Sequence, residues 1–403
     1  RSISQRNLDS LGILKAARIS FLGLRMKKNP VHVLVEVKER FNDHGSVEIG
    51  VGASTDNLWF VSLAYVNRNL FGWGKQLRVE GEYGDVIQKG KVSYKDPRFL
   101  RTKLILDLTG FVRNEETVRL GQLLTYGASA SVIKRFTQKL QLFMRYEVKR
   151  VRRRERLRRT GAGMDEGRGV DIFTTTATIG PTFIWDKRDN PLVPKKGFHI
   201  VTSLRWASRY LLADLVNGAD FIHFRFAGQL FLPLPFDIVI AQGVRYDHGF
   251  PIGSTVMLPK TERFYGGGDT TFRGYEKDQL YTTVEWVPMS PYGTPRVYRV
   301  TPRGGNIRLL YNAEIQFPIW KKSILFGLPL WGAVFFDAGS IANTVSSWRG
   351  VKDFFSRFKH SMGGALRVVT PVGAISVSYA VPFEPSYGTD PSGRVHFNFG
   401  FIF

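Results

Sequence analysis

From Gly45 onward the chain repeats one pattern: segments of about ten residues with alternating apolar and polar side chains, each closed by turn residues. The segments are 46–54, 59–66, 76–84, 91–99, 102–112, 119–133, 139–148, 171–185, 197–207, 220–232, 236–246, 306–317, 330–339, 360–370, 374–383 and 394–403, which makes 16. Alternation gives each strand two unlike faces. An even number of such strands can close into a membrane barrel, which removes the sheet edges that lipid could not satisfy. A soluble sandwich would be shorter and would carry clearer polar outer faces. No 18-residue apolar run occurs, so a spanning helix is not expected. The predicted fold class is therefore all-β, a 16-stranded transmembrane β-barrel over residues 43–403.

The aromatics fit this reading. Many lie at segment ends, as in LFGWG (70–74), TFIWD (182–186) and LPLWG (328–332), where amphipathic rings favour a membrane interface. Ordinary strand propensity also enriches aromatics. The chain has no Cys, in keeping with passage through an oxidising compartment without a disulfide framework.

Residues 1–42 differ in texture. NLDSLGIL (7–14) places Leu8, Leu11 and Leu14 at helical spacing. Two strand candidates follow around a Lys-Lys-Asn-Pro turn, the second carrying Val31, Val33, Val35 and Val37 in alternation. The piece is too short for a domain and reads as the end of an α+β domain. With no charged-then-apolar leader after Arg1, the chain reads as processed or trimmed.

Net charge is +23, from 57 Lys+Arg against 34 Asp+Glu. Much of the excess lies in KRVRRRERLRR (149–159), eight basic residues in eleven. It reads either as a solvated loop with flanking strand ends or as a site for anionic lipid headgroups. Nucleic acid is the poorest fit, because the rest of the chain reads as membrane strands. Connections on one side of the barrel, including 149–170 and 247–305, are long, while those at 68–75 and 191–196 are short. Long loops face outward and short turns face the periplasm in such barrels. That puts Arg152, Arg153, Arg154, Arg156, Arg158 and Arg159 at the outer leaflet, where lipopolysaccharide phosphates are available.

One loop segment stands apart. RFYGGGDTTFRGY (263–275) holds four glycines, two arginines and four aromatics. It is too glycine-rich for a helix and has no period-2 run of strand length. On its residues alone it reads as a flexible surface loop with an incidental arginine. Gly266–Gly268 lack the Lys-Ser/Thr of a phosphate loop, and DKRDNP lacks a Cys/His ligand set. No catalytic set, cofactor or metal is expected, so the chain does not read as an enzyme.

Together these motifs resemble the outer-membrane insertase superfamily, closest to its branch of general assembly factors. NLDSLGILKAARISF and VHVLVEVKER resemble the end of the last POTRA (polypeptide-transport-associated) domain; NRNLFGWGKQL (67–77) resembles an early strand-turn signature. IWDKRDNPLVPKKGFHI (184–200), RFYGGGDTTFRGY, FFDAG (335–339) and the aromatic last strand resemble further signatures. The resemblance covers nearly the whole chain.

The resemblance implies that 247–305 folds into the lumen and that its tip, Arg273, Gly274 and Tyr275, locks onto Glu314 and Asp337. It implies a lateral seam between the first and last strands, at Gly45, Ser46, Val47, Glu48, Ile49 and Gly50 and at Phe397, Phe399, Gly400, Phe401 and Phe403. A glycine such as Gly400 weakens ladder pairing, and an open seam offers a strand edge to an incoming client. The function implied is folding and insertion of other barrel proteins in the Gram-negative outer membrane, with the POTRA side in the periplasm. Unfolded β-barrel clients, accessory periplasmic lipoproteins and lipid are the implied partners. A TamA-like or two-partner-secretion translocation pore is the alternative, and a passive porin or an outer-membrane enzyme is third.

Overall fold

In the computed structural model, residues 14–22, 32–39, 45–117, 121–156, 169–191, 193–211, 218–287, 297–302, 304–320, 328–343, 348–370, 373–386 and 389–400 are described. Two strands precede the barrel: β1 (Leu14–Leu22) and β2 (His32–Glu39) pair antiparallel. They coincide with the two strand candidates of the sequence. The expected helix lies outside the described residues except Leu14, which begins β1 instead.

The barrel opens with β3 (Gly45–Ser54), β4 (Leu58–Leu70), β5 (Lys75–Gly84) and β6 (Ile87–Asp96). It continues with β7 (Leu104–Thr117), β8 (Gly121–Thr137), β9 (Leu140–Arg156) and β10 (Gly169–Asp186). Next come β11 (Gly197–Ala207), β12 (Phe221–Pro233) and β13 (Val239–Pro251). A separate hairpin, β14 (Thr282–Val287) and β15 (Val297–Pro302), interrupts the long connection expected at 247–305. The barrel resumes with β16 (Ile307–Trp320), β17 (Leu330–Ala342), β18 (Lys359–Thr370), β19 (Gly373–Pro382) and β20 (Arg394–Gly400). A short helix, α1 (Trp348–Ser356), lies between β17 and β18. Neighbouring strands pair antiparallel all the way round, and β20 meets β3 to close a barrel of 16 strands.

Alternation decides which way each side chain points. Val47, Ile49, Leu63, Val334, Leu366 and Val395 face outward and are each more than half exposed. A ring of exposed apolar side chains of this kind is a lipid-facing band. The opposite face carries charge: Glu48 receives Arg68 at 3.3 Å and Arg78 at 2.6 Å, and Lys89 meets Glu82 at 2.6 Å. The interior core is local. Phe272, Tyr275 and Leu280 from the long connection pack on Leu310 of β16 and Ile341 of β17.

The basic run corrects an expectation. Residues 149–156 are not a loop but the upper end of β9, in register with β8 and β10. The sequence hid this because arginine occupies both faces of the strand. Alternation puts Arg150, Arg152 and Arg154 on the outward face, continuing Leu142, Met144 and Val148. Arg153 shares the inward face with Val151 and Lys149, so it cannot join an outward lipid contact. Arg158 and Arg159 lie outside the described residues.

Candidate functional site at the inner loop and the seam

The segment 263–281 lies inside the barrel, folded on itself. Leu280 N–H donates to Gly266 O at 2.8 Å, and Gly268 N–H donates to Tyr275 O at 3.0 Å. Thr271 Oγ closes the turn on Gly267 O at 2.6 Å. Gly267 and Gly268 sit at φ +116° and +98°, where a side chain is strained. Space excludes one as well: a Cβ on Gly267 would lie 2.1 Å from Glu276 O, and one on Gly268 would lie 2.2 Å from Asp56 Oδ2. The glycine run thus lets the loop turn back and lets the β3–β4 turn press against it.

At the far end of this fold Arg273 reaches β16 and β17. Its Nε and Nη2 donate to the two oxygens of Asp337 at 2.9 and 2.7 Å, and its backbone N–H donates to Asp337 Oδ2 at 3.0 Å. Nη1 donates to Glu314 at 2.9 Å. The guanidinium carbon lies 3.3 Å from the ring centre of Phe335, a stacked arrangement favourable to Arg. Phe335 and Asp337 share the inward face of β17, while Val334 and Phe336 face lipid. The FFDAG segment therefore supplies both the stacking ring and the carboxylate because they are two residues apart.

Sequence reasoning missed several members of this cluster. Arg367 of β18 donates to both oxygens of Glu314, one at 3.0 Å, so two arginines balance two carboxylates. Asn312 Nδ2 donates to Asp337 at 2.9 Å, and Ser361 Oγ donates to Arg273 O at 2.6 Å. Each sits at an inward position of its strand, and that parity was the available signal. Arg308 adds a second tie, donating to Tyr265 O while gripping Asp247 at 2.6 Å.

The loop also touches the last strand and the first turn. Gly274 N–H donates to His396 Nε2 at 3.2 Å, and Asn398 Nδ2 donates to Asp269 at 2.8 Å. Arg394 pairs with Glu276. Asp269 N–H donates to Asp56 at 3.0 Å, and Lys277 Nζ donates to Asn57 Oδ1 at 2.8 Å. Tyr275 points elsewhere, its hydroxyl donating to Glu384 O at 2.6 Å.

Between these contacts runs the junction of β3 and β20. Its described register pairs are Asn398 with Ser54, Phe399 with Ala53 and Gly400 with Gly52, three against ten between β3 and β4. Thr55 extends the junction, its N–H donating to Phe397 O at 2.9 Å and its Oγ accepting from Phe397 N–H at 2.7 Å. The described junction thus runs to Gly400 and Gly52. Gly45, Ser46, Val47, Glu48, Ile49 and Gly50 pair with β4 and have no partner in β20 among the described residues. The Thr55–Phe397 and Asp269–Asn398 contacts set this register. Phe401 and Phe403 lie outside the described residues.

Residues 69–403 match the Omp85 superfamily domain. Two curated relatives are outer membrane protein assembly factors named BamA. That of Neisseria meningitidis serogroup B is 24% identical over 99% of this chain and 52% of its own length. That of Nitratidesulfovibrio vulgaris is 24% identical over 94% of this chain and 44% of its own. The chain thus spans about half the length of the curated relatives it matches. The solved structure of BamA from Haemophilus ducreyi lacking POTRA domains 1–3 aligns at TM-score 0.77 and 18% identity, covering 99% of this chain and 77% of that one. CdiB from Acinetobacter baumannii aligns at TM-score 0.56 and 11% identity, over 98% and 67%. These two establish a shared fold. Matched over most of its length, and closed as a lipid-facing barrel of 16 strands, the chain belongs to the Omp85 superfamily as a BamA-like protein of the bacterial outer membrane.

Proposed function

We propose that this chain is the membrane portion of an outer-membrane assembly factor, which folds and inserts other β-barrel proteins through a lateral seam between β3 and β20. The observation that supports the reading is the junction itself: the barrel is closed between its first and last strands, at Gly52–Ser54 and Asn398–Gly400, with the inner loop bonded to both sides of it. When two strands part there, each exposes backbone N–H and C=O groups that lipid cannot satisfy. A client strand can satisfy them by adding to the sheet edge. Insertion then needs no covalent step. Arg273 acts in this reading as a lock that fixes the loop to the wall beside the seam.

The partners that follow are unfolded β-barrel clients, accessory periplasmic lipoproteins and outer-leaflet lipid. For lipid the supporting pattern is the outward face of β9, where Leu142, Met144 and Val148 give way to Arg150, Arg152 and Arg154. A change from apolar to cationic side chains suits the level where hydrocarbon meets phosphate headgroups. Residues 1–42, read as the end of a POTRA domain, would lie in the periplasm.

The second reading is a translocation pore for particular passengers, favoured by the likeness to CdiB. Depleting the protein in its host and quantifying the outer membrane separates the two. Joint loss of most barrel proteins is expected for a general assembly factor. Loss of one or a few surface or secreted proteins, with porins intact, would transfer the function to the second reading.

A further inference from the structure

The loop joins two strands that must separate if the seam opens. Residues 269–277 hold β20 through Asp269–Asn398, Gly274–His396 and Glu276–Arg394. The same residues hold the β3–β4 turn through Asp269–Asp56 and Lys277–Asn57. Asp269 is common to both sides. Its backbone N–H serves Asp56, and its carboxylate receives Asn398. Asp56 and Asp269 therefore face one another across this contact and line the same cavity.

Two carboxylates crowded into one partly buried site repel when both are ionised, so the pair favours holding a proton. A cavity of about 170 Å³, lined by Asp56, Asp269, Thr270, Lys277 and Asn398 among others, adjoins the pair. The other charged groups facing it are Asp278 of the loop and Arg308 of β16, with Glu115 of β7 behind Lys277 at 3.9 Å. On the β20 side the nearest titratable and charged groups are His396 and Arg394.

We propose that Asp56, Asp269 and Asn398 form a proton-dependent clasp across the seam, holding the β3–β4 turn and β20 to one loop residue until it releases. The inference rests on the seam reading above and adds its regulation. Burial first, and then the Asp269 carboxyl, raise Asp56 from 3.8 to about 7. A released, solvated Asp56 would titrate near 3.8. Clasping therefore takes up a proton. The clasp is at full strength below about pH 4, weakens by up to about tenfold per pH unit as pH rises towards 7, and is level above it.

The test uses the protein in lipid vesicles with spin labels at V51C and V395C, outward positions on β3 and β20 in a chain with no native Cys. The open fraction, read from the distance distribution, should rise severalfold from pH 5 to pH 8. In D56N, where a neutral amide can replace the protonated carboxyl, the open fraction should stay at its low value across that range. Equal open fractions at pH 5 and pH 8 in the labelled parent, or a D56N profile that follows the parent, would overturn the clasp. N398A provides a check that does not depend on D56N folding. It should raise the open fraction severalfold at pH 5, and an unchanged fraction would overturn the tie to β20. Client insertion is measured separately. A seam that opens with pH yet inserts nothing would remove the assembly reading and leave the clasp.

Discussion

The inner loop meets the barrel at two places that differ in kind. At β16–β18, Arg273 is enclosed by Asp337, Glu314 and Phe335, and Arg367, Asn312 and Ser361 complete the bonding around it. At the seam, the loop relies on a few contacts to separate elements, the most central an acid–acid pair. The first arrangement is neutral in sum, and although a polar cavity reaches Arg273 and Arg367, the side chains of Arg273, Glu314 and Asp337 are buried, so opening it leaves buried charge behind. The second also borders a polar cavity, but its members make single contacts to separate elements and can be solvated as they part. In the proposed reading, a loop built this way would stay with one wall while the other moves.

Arg273→Ala is the largest break in this comparison. It leaves Asp337 buried with Asn312 as its remaining side-chain donor, and removing one partner of such a pair costs about 3–5 kcal/mol. The loop should become cleavable by added protease, and the barrel should melt at lower temperature. A variant as protected and as stable as the parent would show that the anchor is not one. Arg367→Met is milder, because Glu314 keeps Arg273; about 1–3 kcal/mol of stability should be lost in denaturant titration. A loss matching that of Arg273→Ala would mean that Arg367 is the true anchor.

On the seam side, Asn398→Ala removes one hydrogen bond to a carboxylate, a loss of about 1–2 kcal/mol. It should loosen β20 while leaving the loop protected from protease. Loop release by this variant would erase the distinction between the two regions. The smallest effect belongs to the outer face of β9. Converting Arg152 and Arg154 to Gln should leave stability nearly unchanged, since exposed ion pairs contribute little. It should, however, reduce lipopolysaccharide carried through purification. Undiminished lipopolysaccharide would make that row a solvated face.

What could be read from sequence follows from how local each signal is. All sixteen barrel strands were legible because alternation repeats within each one, and β1 and β2 were legible for the same reason. Arg273, Glu314 and Asp337 were found as a set through motif resemblance, and alternation independently puts Asp337 on the inner face. The clasp was not legible. Asp56 and Asp269 are 213 residues apart, and they meet because the barrel closes. The upper end of β9 was hidden by charge density, since lysine or arginine at six of its last eight positions obscures which face is which. The register of β3 on β20 was not legible, because pattern gives strand faces and leaves register free. Register here depends on Thr55 and Asp269, both outside the strands.

The most direct test of the moving seam is to close it covalently. Ala53 and Phe399 are register partners across the junction, so A53C with F399C can form a disulfide there. With the protein reconstituted in vesicles and supplied with an unfolded barrel client, insertion should stop under oxidising conditions and return on reduction. Insertion at the parent rate with the bond fully formed would contradict the account, because clients would then be entering the membrane without parting β3 from β20.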